Sequence, residues 1–205
     1  LSENTDARFD PAIGLLEFDS IVAGIVGGDA MAKSSPVASM YAGTVHPGRY
    51  LVLVGGDTAA VEMAVEAGGT DTVVDSLLLA NVHPAVVAAI TGVGSGNPIA
   101  PDAIGVVETS SVAAAIVAAD AGVKAAHVSL AALRLGDDLG GKAYCVFAGP
   151  VADVEAAVER AELETEHRGK LLATAIIPQI NRDMLKRMAH ELRFNHQLQS
   201  HLGAP

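Results

Sequence analysis

The segment AIGLLEFDSIVAGIVGGDAMAK, which begins at Ala12, returns as AIGVVETSSVAAAIVAADAGVK from Ala103. Ile13/Ile104, Gly14/Gly105, Glu17/Glu108, Ser20/Ser111, Asp29/Asp120 and Lys33/Lys124 stay in step. A repeat of about 90 residues is too long for a solenoid unit and matches a small domain, so the chain reads as one domain written twice. Duplication also implies a pseudosymmetric assembly.

Hydrophobic periodicity gives the content of each copy. Residues 12–17 form a short apolar run, a strand, and Ser20 is placed to cap a helix with Ile21, Ile25 and Val26 on one face. Gly24, Gly27 and Gly28 leave another face of that helix bare. Each glycine costs roughly 1 kcal/mol against alanine, so close approach by another element is expected to offset the loss. Residues 37–45 and 50–54 read as a hairpin around the HPGR turn, residues 55–57 open a second helix, and residues 73–79 form a last strand. The order is βαββαβ, an α+β, ferredoxin-like arrangement. The second copy repeats it with strands at 104–108, 128–135, 143–148 and 171–177, helices after Ser111 and Pro150, and a short insertion around Gly136, Asp137 and Asp138.

These boundaries divide the chain into a flexible tail over 1–11, a first domain over 12–91, a linker over 92–102, a second domain over 103–178 and a C-terminal helical extension over 179–205. The linker GVGSGNPIAPD carries a GxGxG spacing, but it follows a helix and ends in prolines, whereas a dinucleotide loop follows a strand and opens a helix. Beyond Asn181 the apolar positions Leu185, Met188, Leu192, Phe194, Leu198 and Leu202 describe an amphipathic helix. It either packs back on its own domain or docks another protein.

Composition excludes several functions. A net charge of -11 argues against nucleic-acid binding, which needs clustered Lys and Arg. The apolar stretch 111–126 is interrupted by Asp120 and Lys124, so no membrane span is expected. Half of the chain is hydrophobic (50%) yet only 3% is aromatic, which suits thin layers and tight subunit contacts. The single cysteine, Cys145, cannot close an internal disulfide and fits a reducing compartment. No paired carboxylates, nucleophile beside a placed histidine, or phosphate loop points to catalysis, so no enzyme is expected.

The segments VHPGRYLVLVGGD, VVDSLLLANVHPAV, AIGVVETSSVAAAIVAAD and GGKAYCVFAG resemble bacterial microcompartment shell domains in tandem. The resemblance runs through most of residues 12–177 and is strongest to the trimer-forming T-type of propanediol-utilising compartments. It implies a structural protein of the bacterial cytoplasm, a homotrimeric, pseudohexameric tile that packs with other shell proteins around encapsulated enzymes. Lys33 and Lys124 would then lie at disc edges; otherwise they are solvated lysines favoured by a helix C-terminus.

His46, Pro47, Gly48 and Arg49, with their counterparts Leu139, Gly140, Gly141 and Lys142, match the loops that surround the family's central pore. Arg49 and Lys142 would make a positive ring attractive to anionic metabolites, or would face solvent or pair with Asp137 and Asp138. In the T-type relative a cysteine at the position of His46 helps hold an iron–sulfur cluster. With imidazole there, no such cluster is expected. Three symmetry-related copies of His46 would be the candidate for a different metal or redox centre. The rival class is a ferredoxin-like small-molecule-binding protein. The extension over 179–205 would be the place for an encapsulated enzyme to dock.

Overall fold

The computed structural model describes residues 11–92, 101–136 and 138–190. Most of the expected N-terminal tail and of the linker, Asp137 and the tail positions Leu192, Phe194, Leu198 and Leu202 lie outside them. Each copy is a four-stranded antiparallel sheet with two helices against one face. The first contains β1 (Ala12–Phe18), α1 (Ile21–Ser34), β2 (Ser39–Val45), β3 (Arg49–Gly56), α2 (Thr58–Gly68) and β4 (Val73–Leu79), in the sheet order β2-β3-β1-β4. A further helix, α3 (Pro84–Thr91), follows. The second contains β5 (Ala103–Thr109), α4 (Val112–Ala125), β6 (Ser129–Leu135), β7 (Ala143–Gly149), α5 (Val151–His167) and β8 (Leu171–Pro178), ordered β6-β7-β5-β8, and then α6 (Arg182–His190).

Helix starts follow the expected caps. Ser20 accepts the Ala23 N–H at 3.3 Å and Ser111 the Ala114 N–H at 3.2 Å. Asp57 takes the N–H groups of Ala59 and Ala60 at 3.0 and 3.4 Å, satisfying donors that have no carbonyl within the helix. Along β1 the strand period sends Ala12, Leu16 and Phe18 into a core with Met31, Val52, Val54, Val61 and Ala64. At Gly27 an added Cβ would lie 2.6 Å from the Phe18 ring and 2.9 Å from the Gly68 carbonyl. The element that approaches the bare face of α1 is therefore the chain's own sheet and second helix.

The opposite face of β1 carries Ile13, Leu15 and Glu17, and it is buried as well. Ile13 and Leu15 share an apolar cluster with Val86 and Val87 of α3, Ile116 and Ala119 of α4, and Leu133 of β6. The two copies thus join through a common core. The corresponding face of the second sheet, with Ile104, Val146 and Ala148, is covered by Ile180, Leu185 and Met188. α6 therefore packs back on its own domain. In chain order α6 stands to β8 as α3 stands to β4.

Candidate functional site

The hairpin turns of the two copies lie side by side. Gly48 (φ 100°) reverses the first and Gly141 (φ 84°) the second, a backbone region that side chains disfavour. The Gly141 carbonyl accepts from Arg49 Nη1 at 3.2 Å, and His46 Nδ1 lies 3.8 Å from Asp138 Oδ1. One chain thus gathers all eight turn positions, His46 to Arg49 and Leu139 to Lys142, into one region.

Arg49 turns inward, its side chain only 26% exposed. Its Nη1 lies 2.5 Å from Glu17 Oε1 and donates to the Ser110 carbonyl at 3.1 Å. The cause is the strand pairing: Glu17 sits in the central strand beside β3, on the face that the second copy buries. Lys142 repeats the geometry, reaching Glu108 Oε1 at 2.8 Å. Within the chain each cation is therefore paired with the duplicated glutamate. Burial pushes the Glu17 carboxyl up, while Arg49 and the N–H groups of Val112 and Ala113 hold it down.

Glu17 also joins the copies. Its Oε2 accepts the Val112 N–H at 2.9 Å, placing a first-copy carboxylate at the N-terminus of α4, where the helix dipole favours an anion. Around it, Asp75 accepts from Ser111 Oγ and from Arg168 Nη2, and Lys170 Nζ reaches the Val74 carbonyl at 3.0 Å. Sequence reading did not single out Glu17, Asp75, Arg168 or Lys170 as functional. The visible signal was Glu17 and Glu108 in step on otherwise apolar strands.

Lys33 and Lys124 occupy equivalent helix ends, 2.5 Å from Asp29 and Asp120 respectively. Lys33 is exposed, whereas Lys124 also donates to the Asn81 carbonyl of the first copy. No helix among the described residues is long and apolar enough to cross a membrane.

Thiolates are the usual ligands of an iron–sulfur cluster, and neither turn carries a cysteine. The one cysteine, Cys145, is fully buried in β7, and burial pushes its thiol up to about 12. No group of three His, Cys, Asp or Glu among the described residues is placed to hold a metal ion.

Residues 12–90 and 103–180 each match the BMC domain family. The chain is 42% identical over 180 residues to the bacterial microcompartment shell protein PduT of Citrobacter freundii, covering 86% of this chain and 97% of that one. It is 30% identical over 191 residues to the carboxysome assembly protein CcmO of a Synechocystis strain, covering 85% of this chain and 63% of that one. A crystal structure of a microcompartment protein from Desulfitobacterium hafniense DCB is 40% identical and superimposes with a TM-score of 0.73, over 86% of this chain and 98% of the other.

Proposed function

Because the chain belongs to the BMC domain family, with two such domains in tandem, we propose that it is a non-enzymatic tile of a bacterial microcompartment shell, built as a homotrimer. The observation that carries this reading is a junction made once inside the chain and left open at both ends. In α4 the residues Val112, Ala113 and Ile116 are buried and Val117 is half-buried, and the helix packs against β4 of the first copy. Their counterparts on α1 face solvent: Val22 is 73% exposed where Ala113 is 0% exposed, and Ile21, Ile25 and Val26 are also bare. At the other end β8, the counterpart of β4, exposes Leu172, Ile176 and Ile177.

The bare α1 face of one chain is complementary to the bare β8 edge of another, in the manner of α4 on β4. Glu108, held by Lys142, then stands before the N-terminus of the neighbour's α1 as Glu17 stands before α4. Such a head-to-tail contact forms a closed ring or an open filament, and the resemblance to trimer-forming tiles selects a ring of three chains. In that ring the paired turns alternate around the axis and frame a pore. With Arg49 and Lys142 each paired to glutamate, the rim offers polar backbone, His46 and Asp138 rather than a strong positive field. Lys33 lies on the outer rim, where tiles meet other shell proteins.

Mass measurement in solution tests the reading. It predicts a particle of three 20.8 kDa chains, and Val22→Glu is expected to yield a folded monomer because that side chain is exposed in the single chain. A wild-type monomer or dimer would sink the proposal.

A further inference from the structure

Each copy ends in a helix, and only the first of these helices reaches a neighbouring domain. α3 packs on α4 and β6 of the second copy. Its cap residue His83 donates its N–H to Asp120 Oδ1 at 2.8 Å, Lys124 bridges Asp120 to the Asn81 carbonyl, and Val86 is fully buried. Val87 and Ile90 belong to the same apolar cluster as Ala119, Val123, Leu130 and Leu133. The end of the first copy is therefore seated in the groove between the first helix and the hairpin of the second.

The second copy carries the same device. Asn181 caps α6 as His83 caps α3, accepting the N–H groups of Asp183 and Met184 at 2.9 and 3.3 Å. Gln179 stands where Asn81 stands, and Met184, Leu185 and Met188 occupy the positions of Val86, Val87 and Ile90. Leu185 and Met188 rest on their own sheet, but Met184 is 52% exposed. A matching receptor lies on the first copy, a groove of about 250 Å³ between α1 and β2, lined by Gly24, Ile25, Gly28, Ala32, Met40 and Ala42. Asp29, at its rim, pairs with Lys33 as Asp120 pairs with Lys124.

We propose that α6 of one chain docks in the α1–β2 groove of the next, with Met184 in the groove, Asp29 accepting the Asn181 N–H and Lys33 reaching the Gln179 carbonyl. The C-terminal helix is thereby a clasp between chains. The occupant is a second copy because the same cap, aspartate, lysine and apolar positions already meet once inside the chain. This inference rests on the head-to-tail reading and adds to it the helix that closes each contact.

Paired cysteines in the full-length protein test it. His83→Cys with Asp120→Cys is the control and should close a disulfide within the chain. Asp29→Cys with Asn181→Cys should, on mild oxidation, link two and three chains covalently in a denaturing, non-reducing gel. If the protein is trimeric in solution and the control closes while the second pair stays reduced, the clasp is overturned and the trimer stands. If the protein is not trimeric, the head-to-tail reading falls and the clasp with it. As an independent measurement, Met184→Glu should raise the trimer dissociation constant at least tenfold without moving the unfolding midpoint of the chain. An unchanged dissociation constant counts against the clasp.

Discussion

Arg49 Nη1 lies 2.5 Å from Glu17 Oε1, and the Glu17 side chain is fully buried while that of Arg49 is 26% exposed. The copied pair, Lys142 and Glu108, has almost the same geometry with the lysine 54% exposed. One duplicated ion pair thus exists in two dielectric environments within a single chain. The first is closed by the second copy, and the second faces the end that remains open.

That difference predicts unequal costs of truncation. Arg49→Ala leaves a buried carboxylate without its counter-charge and is expected to lose about 3–5 kcal/mol of unfolding free energy at neutral pH. Lys142→Ala, measured on the dissociated chain, should cost about 0–1 kcal/mol. The Glu17 carboxyl is already raised above its ordinary 4.5 by burial, and removing Arg49 raises it further. A raised folded-state value means that stability falls as pH climbs through it, so the Arg49→Ala deficit should grow from pH 4 to pH 7.5. Urea unfolding at both pH values measures it, and equal deficits for the two variants would contradict the burial argument.

Gly27 makes a second test, because helix propensity and packing pull in opposite directions there. Propensity alone favours Gly27→Ala by roughly 1 kcal/mol. The new Cβ would lie 2.6 Å from the Phe18 ring and 2.9 Å from a backbone carbonyl, and overpacking of this kind typically costs about 1–3 kcal/mol. Net destabilisation in denaturant melts is the expected result; a more stable variant would show that α1 and α2 can separate.

Much of this was legible in the residues because short-range chemistry sets it. Ser20 and Ser111 cap the helices read from them, and the strand at Val73–Leu79 is the one expected from its apolar run. The site was less legible. Whether Arg49 faces solvent or Glu17 depends on which face of β1 the other copy covers, and that is a long-range fact no local pattern carries. The role of α6 was obscured for a related reason: the sequences PAVVAAIT and RDMLKRMAH share no residues in step, although each follows the last strand of its copy. Only the placement of β4 and β8 makes the two helices counterparts.

The turn chemistry predicts a negative spectroscopic result. Thiolate ligands are what hold such clusters, and His46 occupies the turn while Cys145 is buried in a strand. Protein purified without oxygen should lack the broad visible absorption of an iron–sulfur cluster and contain no acid-labile sulfide. Stoichiometric sulfide, at one cluster per three chains, would overturn this.

Cys145 gives the sharpest pH dependence. Its thiol is fully buried and pushed up to about 12 from an ordinary 9.0. The folded chain therefore keeps its proton where the unfolded chain has lost it, and the stability that the thiol contributes declines as pH rises above 9 toward 12. Each pH unit in that window corresponds to about 1.4 kcal/mol. Cys145→Ala loses some packing at every pH but removes the titration, so the stability gap between wild type and variant should narrow by about that amount per unit between pH 9 and pH 10.5. Lysine and tyrosine titrations are common to both proteins and cancel in the comparison. A thiol reagent should react with the native protein only at the rate of its unfolding. Parallel stability curves for the two proteins, or rapid modification of native protein at pH 8, would place the thiol at the surface and contradict its position in β7.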